Sequence, residues 1–398
     1  MNQPYTQQKA SSDAYKVANQ LKKAIKLEKG ETIAKFFDIN FLKEKKEPCQ
    51  LLVKENISKA LGHDLWMEAF SFLFQVPLCD SEIEAFELYN QAANPLIRDF
   101  KSLVSNLGVP CIKTIAKSYH FYATNADYNE SVNQMQKLLR LALSTNNNIF
   151  GGSALLTVVN ELMAVYFQRN NINQAQNLLL TVENKINFRN FTPSEVSTYY
   201  FYSGRVNAIL LNIAQAHQDL INAYETCPLR LYENRRLILV YLIPIQFFYG
   251  KLPTTKKGLI ECYKLEIFTS FANSIVLGKI RNFDKSLRDH QLILFQLGIY
   301  QLLSSARKLV YYQILRIAYE LYGSLRMPVD VFLQALIASN EEDDYDDEEE
   351  DELKYTIDEA ESIAAMLIEM KLVKAYIHHG LHFIVFAKDP FQPLSVYD

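Results

Sequence analysis

The sequence predicts a mainly α-helical protein, in which an irregular helical solenoid is followed by a carboxy-terminal winged helix. Two properties of the whole chain indicate the solenoid. Only 12 of the 398 residues are glycine, and apolar residues recur mostly three to five positions apart, as they do in amphipathic helices. The end of the chain indicates the winged helix, because helical segments there give way to a β-hairpin pattern.

The predicted organisation has four parts: a disordered tail at 1–13, a helical repeat region at 14–198, a second helical part at 199–305, and a winged helix at 306–398 with an acidic insertion at 341–352. The tail is polar and lacks the apolar core of a signal peptide, so secretion is not expected. The five cysteines are scattered and form no CxxC pair. That usage predicts free thiols in a reducing compartment.

The segment from Tyr199 to Pro228 has the pattern of a helix-turn-helix repeat. Small residues such as Gly204 and Ala216 alternate with large ones at helical spacing, and tetratricopeptide-like repeats place small residues where two helices cross. A similar unit precedes it and contains Ala164 and Ala175. No strict period of about 34 residues runs along the chain, so an irregular solenoid is expected.

The run from Leu237 to Tyr249 is apolar except for Pro244 and Gln246. It is too short to cross a bilayer, which takes roughly 18–20 apolar residues. It therefore predicts a fully buried helix, kinked or ended near Pro244, that is covered by protein on most sides. No membrane association is expected.

The carboxy-terminal pattern supplies the elements of the winged helix. Pro328 suits the first turn of a short helix. Thr356 and Glu359 have the spacing of a capping box at the start of the next helix. Two short strands follow, Val373 to Ile377 and Leu381 to Lys388, joined by a turn.

Charge is distributed unevenly along the chain. Residues 341–352 hold eleven acids, and without them the net charge of −4 becomes +7. Residues 228–332 contain fifteen Lys and Arg against seven Asp and Glu. A basic excess of this kind indicates nucleic acid or an acidic partner. The acidic segment is expected to be a disordered insertion; the alternative is that it folds back on the basic region and competes with nucleic acid.

Several ordered segments resemble PCI-domain proteins, which occur in the proteasome lid, the COP9 signalosome and initiation factor 3. The resemblance is closest to the PCI domain-containing protein 2 family and its signalosome subunit 12-like relatives. It covers about residues 150–398. The matching segments are Tyr200–Arg205, Asn234–Pro244, Gly250–Thr254, Val373–His379 and Asp389–Phe391.

This resemblance implies a subunit of TREX-2, the second transcription-export complex, working in the nucleus at the pore, with the cytoplasm as a further location. Its partners would be a GANP-type scaffold and a small acidic DSS/Sem-type protein. Its winged helix would contribute to a platform for RNA or DNA that does not read sequence. The alternative is a purely protein-binding PCI scaffold in a signalosome-12-like complex that acts in transcription or splicing.

An enzymatic function is not expected. The chain has no GxSxG, P-loop or HExxH motif, and neither a cofactor nor a small-molecule substrate is predicted. His378, His379 and His382 form a cluster at the hairpin turn. A metal would need further ligands with defined geometry, so a turn without a metal is the favoured interpretation.

Nucleic acid is expected to be held through phosphates, because the third helix carries Asp358, Glu359, Glu361 and Glu369. Carboxylates repel a phosphate backbone, so this helix is not expected to read bases. Two basic sets are the candidates, and a solvated basic surface is the alternative. The candidates are Arg307, Lys308, Tyr312 and Arg316 on the helix entering the winged helix, and Lys371, Lys374 and Lys388 around the hairpin.

Tyr312 stands where the resembled family usually has arginine, and Ile317 where it usually has lysine. This departure weakens the expectation that α19 binds phosphates through its charges, although a tyrosine could stack on the base of a single strand.

Protein partners suggest a further set of residues. Arg235 and Arg236 precede the apolar run and could serve an acidic partner; the alternative is that they pair with nearby acids such as Glu233 or with local carbonyls. The hairpin edge could add to a neighbouring subunit's sheet. Tyr376, Ile377 and Phe383 would then be contact residues, with a place in the core as the alternative.

Overall fold

The computed structural model confirms the predicted fold class, because helices dominate and the strands of the described residues lie after Gly250. The tail at 1–13 and the acidic segment at 341–352 lie outside the described residues and remain predictions. The described residues are 16–54, 64–100, 105–125, 129–145, 154–255, 258–340, 355–391 and 395–397.

The chain divides into two compact units, Met1–Tyr202 and Ser203–Asp398. Helix α11 (Pro193–Ile209) crosses this boundary. The first unit contains helices α1 (16–26), α2 (Gly30–Ala34), α3 (Ile39–Glu44), α4 (Lys46–Lys54), α5 (Asp64–Leu73), α6 (Glu82–Arg98), α7 (Ser105–Asn125), α8 (Asn129–Thr145), α9 (Leu155–Gln168) and α10 (Ile172–Val182).

The start of α11 is fixed by Glu195, whose carboxylate joins three helices of the first unit. One oxygen accepts from the Thr192 backbone at 3.0 Å while the Thr192 hydroxyl accepts from the Glu195 backbone at 3.3 Å, which is a capping box. The other oxygen binds Lys113 Nζ of α7 at 2.8 Å and Thr157 Oγ1 of α9 at 2.6 Å. Burial raises the pKa of Glu195, but these hydrogen bonds outweigh it and hold the pKa at about 2.

The second unit contains the rest of the helices and the strands. Its helices are α12 (Ile213–Thr226), α13 (Tyr232–Phe247), α14 (Leu259–Cys262), α15 (Ile267–Leu277), α16 (Ile280–Asp289), α17 (Gln291–Leu297), α18 (Tyr300–Ser305), α19 (Arg307–Tyr322), α20 (Val329–Ala338) and α21 (Ile357–Glu369). Its strands are β1 (Lys251–Pro253), β2 (Arg326–Pro328), β3 (Val373–His378), β4 (Phe383–Phe391) and β5 (Ser395–Tyr397).

Helices α11 and α12 cross at Gly204, as the spacing of small residues predicts. A Cβ atom on Gly204 would lie 2.6 Å from Leu220 Cγ, so only glycine fits against this buried leucine. Beside it, the buried carboxylate of Asp219 accepts hydrogen bonds from Ser203 Oγ at 2.7 Å and Gln215 Nε2 at 2.9 Å. A close backbone approach and satisfied polar groups together define this crossing.

Helix α13 contains most of the apolar run and is buried along most of its length. Leu237 and Tyr249, the two ends of the run, are exceptions and are exposed. The helix does not end at Pro244 but continues for three more residues. Because proline lacks only its own N–H, placing it in the last turn removes one backbone hydrogen bond. None of the described helices is both long and apolar enough to span a membrane.

The winged helix consists of α19, α20 and α21 with a three-stranded antiparallel sheet in the order β2-β4-β3. The predicted capping box is present, since the side chains of Thr356 and Glu359 bond to each other's backbone. The predicted hairpin is also present as β3 and β4. Pro328 is the last residue of β2 and precedes α20, so it lies just before the first helical turn. Strand β5 returns to pair in parallel with β1.

Replacing Glu195 by glutamine should destabilise the first unit in a pH-dependent way. Folding lowers this pKa from 4.5 to about 2, so its contribution is complete above the unfolded value and is lost as the pH falls towards 2. We expect E195Q to lower the free energy of unfolding by roughly 2–3 kcal/mol at pH 7, and by less at pH 3. Denaturant unfolding at both pH values measures this difference.

The matched control is Glu82→Gln, because Glu82 forms an exposed ion pair with Lys43. Exposed pairs contribute less than about 1 kcal/mol. A pH-independent loss in E195Q, or an equal loss in E82Q, would contradict the assignment.

Replacing Gly204 by alanine should force α11 and α12 apart and lower stability by roughly 1–3 kcal/mol. Thermal unfolding measures the change. Gly380→Ala is the control, because a Cβ there would meet its nearest neighbour at 3.8 Å. In the Gly204→Ala/Leu220→Ala double variant, the combined loss should be smaller than the sum of the single losses; strict additivity would show that the crossing is not tight.

Candidate interaction surface of the winged helix

The outward face of the three-stranded sheet carries cationic and aromatic side chains. Arg326 of β2 is paired with Val385 of β4, which is paired in turn with Tyr376 of β3. Directly opposed residues point to the same face of a sheet, so these three side chains form one row. Tyr376 is 61% exposed, and Lys374, two residues before it, is also exposed.

Phe383 extends this surface towards the hairpin turn. It is paired with Pro328 on one side and with His378 on the other, and it is half-buried. The guanidinium of Arg326 lies 5.5 Å from the centre of its ring, a cation–π contact that fixes the arginine while leaving it at the surface. We call the set Arg326, Lys374, Tyr376, Phe383 and Val385 the sheet face.

The predicted lysines around the hairpin are all exposed. Lys371 lies in the left-handed region, with φ of 59°, at the end of α21. Lys374 is at the start of β3 and Lys388 is near the end of β4. None of the three forms an ion pair with a described residue. Their charges are therefore available to a ligand.

The predicted basic set on α19 differs from the hairpin lysines, because its charged groups interact with other residues of the protein. Arg307 forms a bidentate ion pair with Asp284 of α16, at 2.8 Å through Nε and 2.7 Å through Nη2. The ammonium of Lys308 lies 5.1 Å from the ring centre of Phe248, and burial lowers its pKa. These two residues stabilise the packing of α19 and present little free charge.

The suggested stacking of Tyr312 on a base is wrong, because this side chain is only 2% exposed. Its ring packs edge-on against Phe391 at 5.6 Å between centroids. Lys308, Tyr312 and Arg316 thus lie on a face of α19 that the sheet partly covers. Arg316 is half-buried and pairs with Glu320 at 2.8 Å, so it is only partly available.

Helix α21 keeps the acidic character that the sequence shows. Asp358 and Glu359 are exposed in its first turn, where they complement the positive end of the helix dipole. Glu361 is buried. Carboxylates at the start of the helix disfavour its insertion into a groove of DNA; that the helix does not read bases stays a prediction.

The two arginines before the apolar run have local partners. Arg235 is buried and donates to the backbone carbonyls of Tyr224 at 3.1 Å and Cys227 at 2.9 Å. It also stacks on the ring of Tyr224, at 3.9 Å. Arg236 donates to the Tyr263 carbonyl at 3.0 Å. The partner-binding role expected for Arg235 is therefore wrong, since it caps the end of α12 instead.

The hairpin residues separate into two classes. Ile377 is half-buried and paired with the buried Ile384, so it belongs to the inner face. Tyr376 and Phe383 are on the sheet face and remain candidates for contact. Arg326 was not among the predicted residues. The sequence indicates this residue only weakly, because the strand that exposes Arg326 and buries Met327 is three residues long.

The chain is similar to known proteins of one family. Residues 111–257 match the family model described as PSMD3-like, N-terminal TPR repeats. The PCI domain-containing protein 2 homolog of Dictyostelium discoideum is 31% identical over 278 residues, which cover 69% of this chain and 58% of that protein. The Drosophila melanogaster homolog is 31% identical over 243 residues, which cover 61% of this chain and 58% of that protein.

A third relative matches over a longer span. PCI domain-containing protein 2 of Xenopus laevis is 24% identical over 357 residues, covering 85% of this chain and 82% of the relative. The match spans little more than half the length of the first two relatives. With a repeat region, a helical second unit and a terminal winged helix, the chain is similar to proteins of the PCI domain-containing protein 2 family over much of its length.

Proposed function

We propose that the chain is a non-enzymatic adaptor subunit of a TREX-2-like mRNA-export complex, and that its sheet face binds RNA or DNA without reading sequence. The observation that carries this proposal is the sheet face itself. It presents two cations, Arg326 and Lys374, beside an exposed aromatic ring, Tyr376. Cations that follow a phosphate backbone and rings on which bases stack are the two components of single-strand binding sites.

The distribution of charge favours a single strand over a duplex. The carboxylates of Asp358 and Glu359 stand at the exposed start of α21, so the helix that other winged helices insert into a groove repels phosphate. Lys371 and Lys388, whose charges have no ion-pair partner among the described residues, flank the sheet instead. A flexible strand lying on the sheet can reach these lysines and the ring of Tyr376 without approaching the acidic start of α21.

Protein partners are proposed on a different feature, the free edge of β3. Within the part of the chain that the structure describes, this strand is paired on one side only, with β4. An open edge can take a strand from another subunit through main-chain hydrogen bonds, and open edges otherwise favour aggregation. We propose a GANP-type scaffold subunit for this edge, with a small acidic DSS/Sem-type protein as the further partner. Nuclear localisation, at the pore, accompanies this assembly.

The second candidate is a purely protein-binding PCI scaffold in a signalosome-12-like complex that acts in transcription or splicing. The engagement of the α19 cations favours it. Arg307 is bonded to Asp284, and Lys308 lies against Phe248, so the surface offered to phosphates is smaller than the sequence indicates.

Charge reversal on the sheet face should weaken binding to single-stranded RNA. We expect Lys374→Glu to lower affinity at least about tenfold at low salt and to reduce the slope of log affinity against log salt. Tyr376→Ala should lower affinity by removing a stacking contact of roughly 1–3 kcal/mol, with little change in that slope. Fluorescence anisotropy with an unstructured RNA measures both quantities.

Lys285→Glu is the matched control, because it makes the same change of charge at an exposed lysine of α16, outside the sheet. Its affinity should stay close to that of the unmodified protein. Equal losses in Lys285→Glu and Lys374→Glu would indicate a general charge effect. Failure of the unmodified protein to bind RNA, with the scaffold subunit present, would support the second candidate.

Affinity purification from cells separates the two complexes. The adaptor function predicts that a GANP-type scaffold and a DSS/Sem-type protein co-purify with the chain in stoichiometric amounts. Replacing Ala375 in β3 by proline removes a backbone N–H that strand pairing needs. If circular dichroism shows that the fold is retained, this variant tests whether the β3 edge binds the scaffold subunit. Recovery of signalosome subunits without the scaffold would contradict the export assignment.

A further inference from the structure

A cluster of three potential metal ligands lies where the hairpin turn meets α21. It consists of Glu361, His379 and His382, whose ligand atoms all lie within 4.8 Å of one another. Glu361 is on α21, and the two histidines belong to the turn between β3 and β4. The histidines alone are too few to hold a metal, but the fold adds a carboxylate from 18 residues earlier in the chain.

The carboxylate at the centre of this cluster is buried and incompletely satisfied. Glu361 is 7% exposed. One of its oxygens is 2.7 Å from His379 Nδ1. The other is 3.7 Å from His382 Nδ1 and has no hydrogen-bond partner among the described residues. A buried carboxylate oxygen without a partner is costly, so a positive charge between Glu361 and His382 would be stabilised.

The backbone already holds all three residues in position. The carbonyl of His382 accepts a hydrogen bond from the backbone N–H of Val329 at 2.8 Å, and its φ of 52° turns the chain into β4. The capping box at Thr356 fixes the start of α21. Both imidazoles are exposed, so they can rotate and remain open to solvent. The ligands therefore need only side-chain motion to close around an ion.

We propose that Glu361, His379 and His382 form a zinc site. Two imidazole nitrogens and one carboxylate oxygen are ligands that Zn²⁺ accepts, with bonds of roughly 2.0–2.2 Å, and water supplies the fourth position of the tetrahedron. Such bonds place neighbouring ligand atoms roughly 3.3 Å apart, within the range that these side chains already span. The harder ions Mg²⁺ and Ca²⁺ prefer all-oxygen ligand sets and fit this cluster poorly.

Bound zinc would join the hairpin turn to α21, two elements that otherwise meet here through a hydrogen bond between exposed and buried side chains. The turn follows β3 and precedes Phe383, so the ion would fix one end of the sheet face. Zinc binding at this cluster does not depend on nucleic-acid binding.

The test uses the full chain with any affinity tag removed and metals stripped by a chelator. Calorimetric titration should show one Zn²⁺ per chain. His379→Gln and His382→Gln should each weaken that binding at least about tenfold, since even outer-sphere partners of a metal cost this much. His378→Gln is the matched control, because His378 is the adjacent histidine and lies outside the cluster; its affinity should equal that of the unmodified protein.

A second measurement excludes the free cysteines as ligands. Cobalt bound at the proposed site should give a tetrahedral visible spectrum without a thiolate-to-metal band in the near ultraviolet. Zinc should also raise the melting temperature of the unmodified protein and of His378→Gln, but not of His382→Gln. Absence of stoichiometric zinc binding, or a thiolate band, would overturn the proposal. So would a zinc affinity in either His379→Gln or His382→Gln that equals that of the unmodified protein.

Discussion

Helix α13 can exist only when it is enclosed, because its buried side chains point in nearly all directions around its axis. Such a helix has no face that water can cover, so its neighbours must supply both apolar contact and polar partners. Arg235 at its first turn bonds to the carboxy-terminal carbonyls of α12. Tyr241, near its middle, donates to the carbonyl of Leu297, the last residue of α17. These hydrogen bonds fix the positions of α12 and α17 relative to α13. Strand β1 is the next element along the chain after α13.

Cations in this unit show why net charge is a poor measure of a binding surface. The region from 228 to 332 has an excess of eight positive charges. Arg235 uses its guanidinium to cap a helix, and Arg307 uses it to hold Asp284. Arginine suits such positions because its planar group satisfies several acceptors at once. Lysines on the sheet are fewer in number, but their charge faces solvent.

Local patterns made most of the fold predictable. Helical spacing, the Thr356 capping box and the β3–β4 hairpin depend on residues close in sequence, and all three were predicted correctly. The three-residue strands β1, β2 and β5 were not predicted, because their existence depends on partners far along the chain. The candidate site follows the same division: Lys374 was identified, whereas the burial of Tyr312 and the role of Arg326 depend on how the sheet packs.

The pairing of β5 with β1 has a consequence for the order in which the second unit assembles. Lys251 and Ser395 are paired, and closing a flexible loop of roughly 140 residues costs ~4 kcal/mol in chain entropy. A strand of three residues cannot offset that cost by itself. Folding of the winged helix must first bring the two ends close, so β5 adds last. During synthesis it also leaves the ribosome after the winged helix, which makes its attachment a late step that reports completion of the domain.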